Sequence, residues 1–173
     1  TEKRKENRFI QPTTMYSNLI LNGLKKRKLP IEELKNAIEN FTPSYPIENL
    51  FVYGTLMRGE QRHSTLVECC VGEGISATAS GTILDLGNYP GMIASDNGVI
   101  QGEIYQIDQV YPTLQTLDSI EGFYGYDSEH SLFSRTIVQI ETEHGTEWAW
   151  TYVYNQEEGI EYQEIISGNW RNR

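Results

Sequence analysis

Apolar and polar positions change rhythm along the chain. Leu19, Ile20 and Leu24, then Ile31, Leu34, Ala37, Ile38 and Phe41, fall at helical spacing, interrupted by Pro30. The run Thr42-Pro43-Ser44-Tyr45-Pro46 then reads as a loop. From Glu48 the pattern becomes strand-like. Leu50-Phe51-Val52-Tyr53 is a short apolar run ending at Gly54, as a buried strand entering a tight turn would be. Residues 61–71 predict a helix, and residues 75–86, rich in Thr, Ala and Ile, predict a strand kinked at Gly81. Asn88-Tyr89-Pro90-Gly91 is a turn signal. Val99–Ile107 alternates, with Ile100, Gly102, Ile104 and Gln106 on one face and Gln101, Glu103, Tyr105 and Ile107 on the other.

The next segment is the most informative. Val110, Leu114 and Leu117 form one apolar stripe of a helix over Val110–Glu121, and four more residues along that stripe stands Glu121. Gly122 follows, where a left-handed C-terminal cap usually sits. After a long polar and aromatic loop, residues 133–154 predict a hairpin turning at His144-Gly145, with Trp148, Trp150, Tyr152 and Tyr154 on one face. Strands mixed with a few short helices make the fold class α+β, a small curled mixed sheet or partial barrel. Residues 1–46 read as a helical N-terminal extension, or the tail of a preceding segment, and residues 47–173 as the domain itself.

Composition narrows the picture. With 38% hydrophobic and 11% aromatic residues, the 173-residue chain can build a real core and is not of disordered composition. Residues 1–30 carry eight Lys or Arg against two Glu, leaving +6 there and −16 beyond, for a total of −10. A body this acidic repels phosphate backbones, so no nucleic-acid partner is expected. The clusters Lys3-Arg4-Lys5 and Lys25-Lys26-Arg27-Lys28 read as solvated helix or linker, or as a docking tail for an acidic partner. No apolar run reaches the roughly 20 residues that span a bilayer, so no membrane partner is expected. The opening residues are too charged for a signal peptide. Adjacent Cys69 and Cys70 rarely bridge one another, and a cytoplasmic, reducing setting is the simplest expectation.

Two groups of residues carry candidate chemistry. Glu121 sits on an apolar stripe and at a helix C-terminus, and both burial and the negative end of the helix dipole push a carboxyl pKa upward. Such a group can accept and return a proton; register alone, however, favours a last-turn glutamate facing solvent. At Tyr53-Gly54-Thr55-Leu56, consecutive N–H groups exposed at a turn can hold a carboxylate or oxyanion, although the same pattern serves as a plain structural turn. Neither a nucleophile elbow nor a phosphate-binding glycine loop is present. His63, His130 and His144 lack metal-ligand spacing, so no metal is expected. Tyr111 and Trp170 read as packing residues, and His130 as solvent-exposed.

Four segments in order complete the reading: Phe51-Val52-Tyr53-Gly54-Thr55-Leu56, residues 81–90 ending in Asn88-Tyr89-Pro90, Gly102-Glu103-Ile104-Tyr105, and Leu117-Asp118-Ser119-Ile120-Glu121-Gly122. Together they resemble the γ-glutamylcyclotransferase-like superfamily, which includes γ-glutamylamine cyclotransferases and AIG2-like proteins. The resemblance runs from about Leu50 to Trp170. It implies a compact α+β fold around a small barrel and a reaction needing no cofactor. In that reaction a γ-glutamyl substrate's own α-amine attacks its γ-carbonyl, closing 5-oxoproline and expelling an amine or amino acid. Glu121 is then the proton shuttle, and the N–H groups of Tyr53, Gly54, Thr55 and Leu56 the cradle for glutamyl oxygens. One departure is Phe133-Ser134-Arg135 where the family often has Y-x-R; Tyr124, Tyr126 or Tyr152 would have to replace the missing hydroxyl. A long loop over residues 123–132 is another. A non-catalytic small-molecule binding module of the same fold is the alternative these departures keep open. The leaving group and the oligomeric state are not written in the sequence.

Overall fold

A computed structural model describes residues 47–173 apart from 94, 96, 126 and 127. The helical reading of residues 1–46 lies outside the described residues. The elements run in the order β1 Asn49–Val52, α1 His63–Cys69, β2 Cys70–Ser80, β3 Thr82–Asp85, β4 Pro90–Ile93, β5 Val99–Ile107, α2 Val110–Glu121, β6 Phe133–Thr142, β7 Gly145–Tyr154 and β8 Gln163–Glu164, closing with a 3-10 turn at Trp170–Asn172.

Five strands close into a barrel in the order β1-β5-β2-β6-β7, and β4-β3-β8 form a small second sheet. The barrel ladders are antiparallel, with one exception. β1 meets β7 in parallel at a single register pair, Leu50 opposite Trp150. Side chains supply what the backbone omits at this seam. The Trp150 indole N–H donates to the Ile47 carbonyl at 2.9 Å, the Thr151 hydroxyl to Phe51 at 3.0 Å, and the Tyr53 hydroxyl to Tyr152 at 2.7 Å. Leu50, Ile100, Ile140, Ala149 and Thr151 are fully buried. A fully buried large aliphatic side chain contributes about 1.5–3 kcal/mol through removal of apolar surface from water.

Strand β2 begins earlier than its hydrophobic pattern suggests. Gly72 and Gly74, outside the strand predicted over 75–86, lie within β2 at a register shift between Val71 and Ile75. At Gly81 that predicted strand divides into β2 of the barrel and β3 of the second sheet. A Cβ on Gly74 would stand 2.3 Å from the Tyr105 ring, so the missing side chain makes room for that aromatic. The predicted helix over 61–71 is correspondingly trimmed to His63–Cys69, and Cys69 and Cys70, both free thiols, fall on either side of a helix–strand junction.

Helix α2 packs Thr113, Leu114 and Leu117 inward, with Val110 at the margin of the stripe. Gly122 caps it in the left-handed region at φ 62°, and the N–H groups of Gly122 and Phe123 both return to the Asp118 carbonyl. Strand β7 is buried on both faces. Its aromatic face carries Trp150, Tyr152 and Tyr154, and the Tyr152 hydroxyl donates to Asp118 of α2 at 2.6 Å, while Ala149 and Thr151 fill the other face. Trp170 is buried as expected, under the Arg173 guanidinium at 3.8 Å from its ring. Tyr111 is not a packing residue. It is 59% exposed, because it stands one position beyond the inward stripe at the start of α2.

Candidate functional site

The turn after β1 and the last turn of α2 meet at one cavity. It has a volume of about 160 Å³, and its lining includes Tyr53, Gly54, Thr55, Leu56 and Glu121. All five residues singled out from the sequence are therefore brought together.

The turn owes its shape to close packing. A Cβ on Gly54 would lie 2.6 Å from Cγ of Pro90, so β4 can approach only because that side chain is absent. The sequence reading ascribed this glycine to a sharp bend; the structure ascribes it to the neighbouring proline. The carbonyls of the turn are engaged: Gly54 accepts from the Met57 N–H at 3.0 Å, Thr55 from the Arg62 N–H at 2.8 Å, and Leu56 contacts Nδ1 of His63 at 3.1 Å. Its donors are not. Among the described residues no acceptor takes the N–H of Gly54, Thr55 or Leu56. The Tyr53 side chain faces elsewhere, its hydroxyl donating to the Tyr152 carbonyl and accepting from the Met92 N–H at 3.1 Å. Burial, and after it the charge of Glu121, raises the pKa of that hydroxyl well above the ordinary tyrosine range.

Glu121 has no hydrogen-bond partner for its carboxyl among the described residues. Burial pushes its pKa up to about 7, and the guanidinium of Arg62 draws it the other way. Arg62, which the sequence reading did not single out, lines the same cavity and lies over the Tyr89 ring at 6.0 Å. The sequence reading places it inside the helix predicted over 61–71, whereas it stands in the irregular stretch just before α1.

One helical turn back, Asp118 is treated differently. It accepts from the Tyr152 hydroxyl at 2.6 Å and from Arg135 at 2.9 Å. Burial still raises its pKa, with those two partners opposing the rise. The Arg135 guanidinium lies between the rings of Phe123 and Trp150, 5.5 and 5.8 Å away. This unit fixes α2 against β6 and β7, which places Glu121 at the cavity.

The proposed stand-ins for a hydroxyl at position 133 resolve unevenly. Tyr152 lines the cavity, but its hydroxyl is committed to Asp118. Tyr124 is 72% exposed and does not line it, because it leaves the helix cap on the solvent side. Tyr126 lies outside the described residues. Phe133 and Tyr89 both line the cavity, with ring centroids 6.0 Å apart in an edge-on pair. His130 is exposed. Among the described residues no three His, Cys, Asp or Glu side chains are grouped to hold a metal ion. No helix among them is long and apolar enough to cross a membrane.

Comparison with known proteins identifies the family. Residues 50–172 match the model of a family described as gamma-glutamyl cyclotransferase, AIG2-like. The chain is similar to the gamma-L-glutamyl-butirosin B gamma-glutamyl cyclotransferase of Niallia circulans, with 37% identity over 71% of this chain and 75% of that protein. It is also similar to a putative gamma-glutamylcyclotransferase of Vibrio cholerae, 33% identical over 72% of this chain and 96% of the other. Among solved structures, YkqA of Bacillus subtilis superposes with a TM-score of 0.55 at 28% identity, over 72% of this chain and 39% of its own. A mouse AIG2-like protein shares the fold, with a TM-score of 0.54 at 20% identity over 69% and 87% of the two chains.

Proposed function

The chain belongs to the gamma-glutamyl cyclotransferase, AIG2-like family, and from its cavity we propose that it cyclises a γ-glutamyl amide without a cofactor, releasing 5-oxoproline and a free amine or amino acid. The observation that carries the reading is Glu121, a carboxyl with no hydrogen-bond partner among the described residues, lining one small cavity with three consecutive N–H groups that have no acceptor among them.

The chemistry follows from what each part can do. The substrate's α-amine is tethered to its own γ-carbonyl, so the protein's main task is to fold the glutamyl chain into the attacking pose. A cavity of roughly 150 Å³ holds a benzene ring, and the glutamyl half, coiled into a five-membered ring, is of that order. The N–H groups of Gly54, Thr55 and Leu56 hold its oxygens. Glu121, as carboxylate, takes a proton from the α-amine. The amine's lone pair forms the new C–N bond, the old amide C–N bond breaks, and the leaving nitrogen receives the proton back from Glu121. No water is consumed. Tyr53, its hydroxyl occupied, serves through its backbone position and by joining β1 to β7.

The test is direct. Purified protein given γ-glutamyl amino acids and γ-glutamyl amines should release 5-oxoproline, and Glu121→Gln should reduce kcat by about 10²-fold or more. Unchanged turnover in that variant removes the shuttle. Binding of 5-oxoproline with no turnover of any γ-glutamyl compound would instead make the protein a binding module.

A further inference from the structure

Arg62 lines the cavity, yet among the described residues no carboxylate stands within ion-pair distance of it. The nearby acid Glu60 is taken by Arg171 instead, at 3.6 Å. The Arg62 main chain is tied to the cradle by its N–H on the Thr55 carbonyl, and its guanidinium lies over Tyr89, which in turn packs against Phe133. A guanidinium held over an aromatic face keeps its N–H edge free to take a carboxylate in bidentate fashion.

Counting anions then separates substrate classes. A γ-glutamyl amine presents one carboxylate, that of the glutamyl half. A γ-glutamyl amino acid presents a second, on the leaving group. The row of N–H groups at Gly54, Thr55 and Leu56 serves the glutamyl oxygens, which leaves the guanidinium for the second carboxylate. We infer that Arg62, supported by Tyr89, is a specificity-determining residue that selects leaving groups carrying a carboxylate, so that amino acids or peptides rather than simple amines are expelled. This inference rests on the cyclisation reading. Tyr89, Leu132 and Phe133 supply an apolar wall for the remainder of the leaving group.

A matched substrate pair tests it. γ-Glutamyl-alanine and γ-glutamyl-ethylamide differ only in the leaving-group carboxylate. The wild-type protein should prefer the alanine compound by about tenfold or more in kcat/KM, as a charge-assisted pair implies. In Arg62→Met the preference should fall to about twofold or less, chiefly through KM, and Arg62→Lys should keep part of it. Using the ratio cancels any effect of Arg62 on Glu121 that both substrates share. A wild-type protein without preference, or a ratio untouched in Arg62→Met, overturns the inference while cyclisation stands. If neither compound yields 5-oxoproline, the cyclisation reading is what fails. Calorimetry of both compounds on wild type and Arg62→Met then decides: affinity depending on carboxylate and Arg62 together upholds the selectivity, and equal affinities overturn it.

Discussion

Two carboxyls one helical turn apart, Asp118 and Glu121, show how surroundings assign roles. Asp118 is hydrogen-bonded to a hydroxyl and a guanidinium; Glu121 lines the cavity with no hydrogen-bond donor on its carboxyl among the described residues. The first is held in place, and the second is the group that the proposed cyclisation uses to exchange protons. In the proposed cyclisation Glu121 must be a carboxylate to accept the amine's proton, so kcat/KM should rise with pH through an apparent pKa of about 7. A flat profile from pH 5 to 9 would argue against it. The same shift has a cost in stability. Because the folded-state pKa lies above the unfolded value of 4.5, folding retains a proton that the unfolded chain releases. The favourable contribution is therefore complete below about pH 4.5 and is lost as pH rises through 7. Glu121→Gln should accordingly melt above the wild type at pH 8, with the difference closing toward pH 5. A constant difference across that range would show that the carboxyl is not desolvated.

At the scale of elements, β4 is pressed against the turn after β1, and Gly54 is where they touch. Gly54→Ala puts a methyl against Pro90. It should cost about 1–3 kcal/mol by overpacking and reduce kcat/KM more than tenfold, read by urea denaturation beside turnover. A variant of normal activity would mean that the turn tolerates displacement. Elements were also where the sequence was most legible. Val99–Ile107, Val110–Glu121 and the hairpin over 133–154 have a clear period and good punctuation, and they stand as read. The strand predicted over 75–86 starts too late, because Gly74 makes room for Tyr105 rather than marking a break. It also joins what the structure divides at Gly81 into β2 of the barrel and β3 of the second sheet. The stripe and the glycine cap place Glu121 at the end of the helix, but it is the resemblance of residues 117–122 to the family's motif that singles it out. Arg62 was not legible, and Tyr89 only as part of the Asn88-Tyr89-Pro90 motif, since a side chain converging on a cavity from an irregular segment leaves no period behind.

At the scale of the molecule, the chain's end is fastened to the strand beside the site. Glu103 on β5 accepts from the Arg58 N–H at 2.8 Å, the Tyr105 hydroxyl at 2.7 Å and Arg171 at 3.0 Å, and Arg171 also reaches the Arg58 carbonyl at 2.6 Å. Burial opposes ionisation of Glu103, but these donors outweigh it and hold the carboxyl below its usual range. Trp170 anchors this end, so Trp170→Ala should lower unfolding free energy by about 3–5 kcal/mol, measured by chemical denaturation. A loss below about 1 kcal/mol would mean that the terminal turn folds independently of the barrel.

The single backbone bridge between β1 and β7 carries a consequence for inheritance. A full ladder is indifferent to which residues occupy it, because every amino acid except proline brings the same donor and acceptor. Here closure of the cylinder is delegated to an indole, a threonine hydroxyl and a phenol, so its integrity is spelled out letter by letter. Descendants that lose those letters must find another latch or let the wall beside the cavity part.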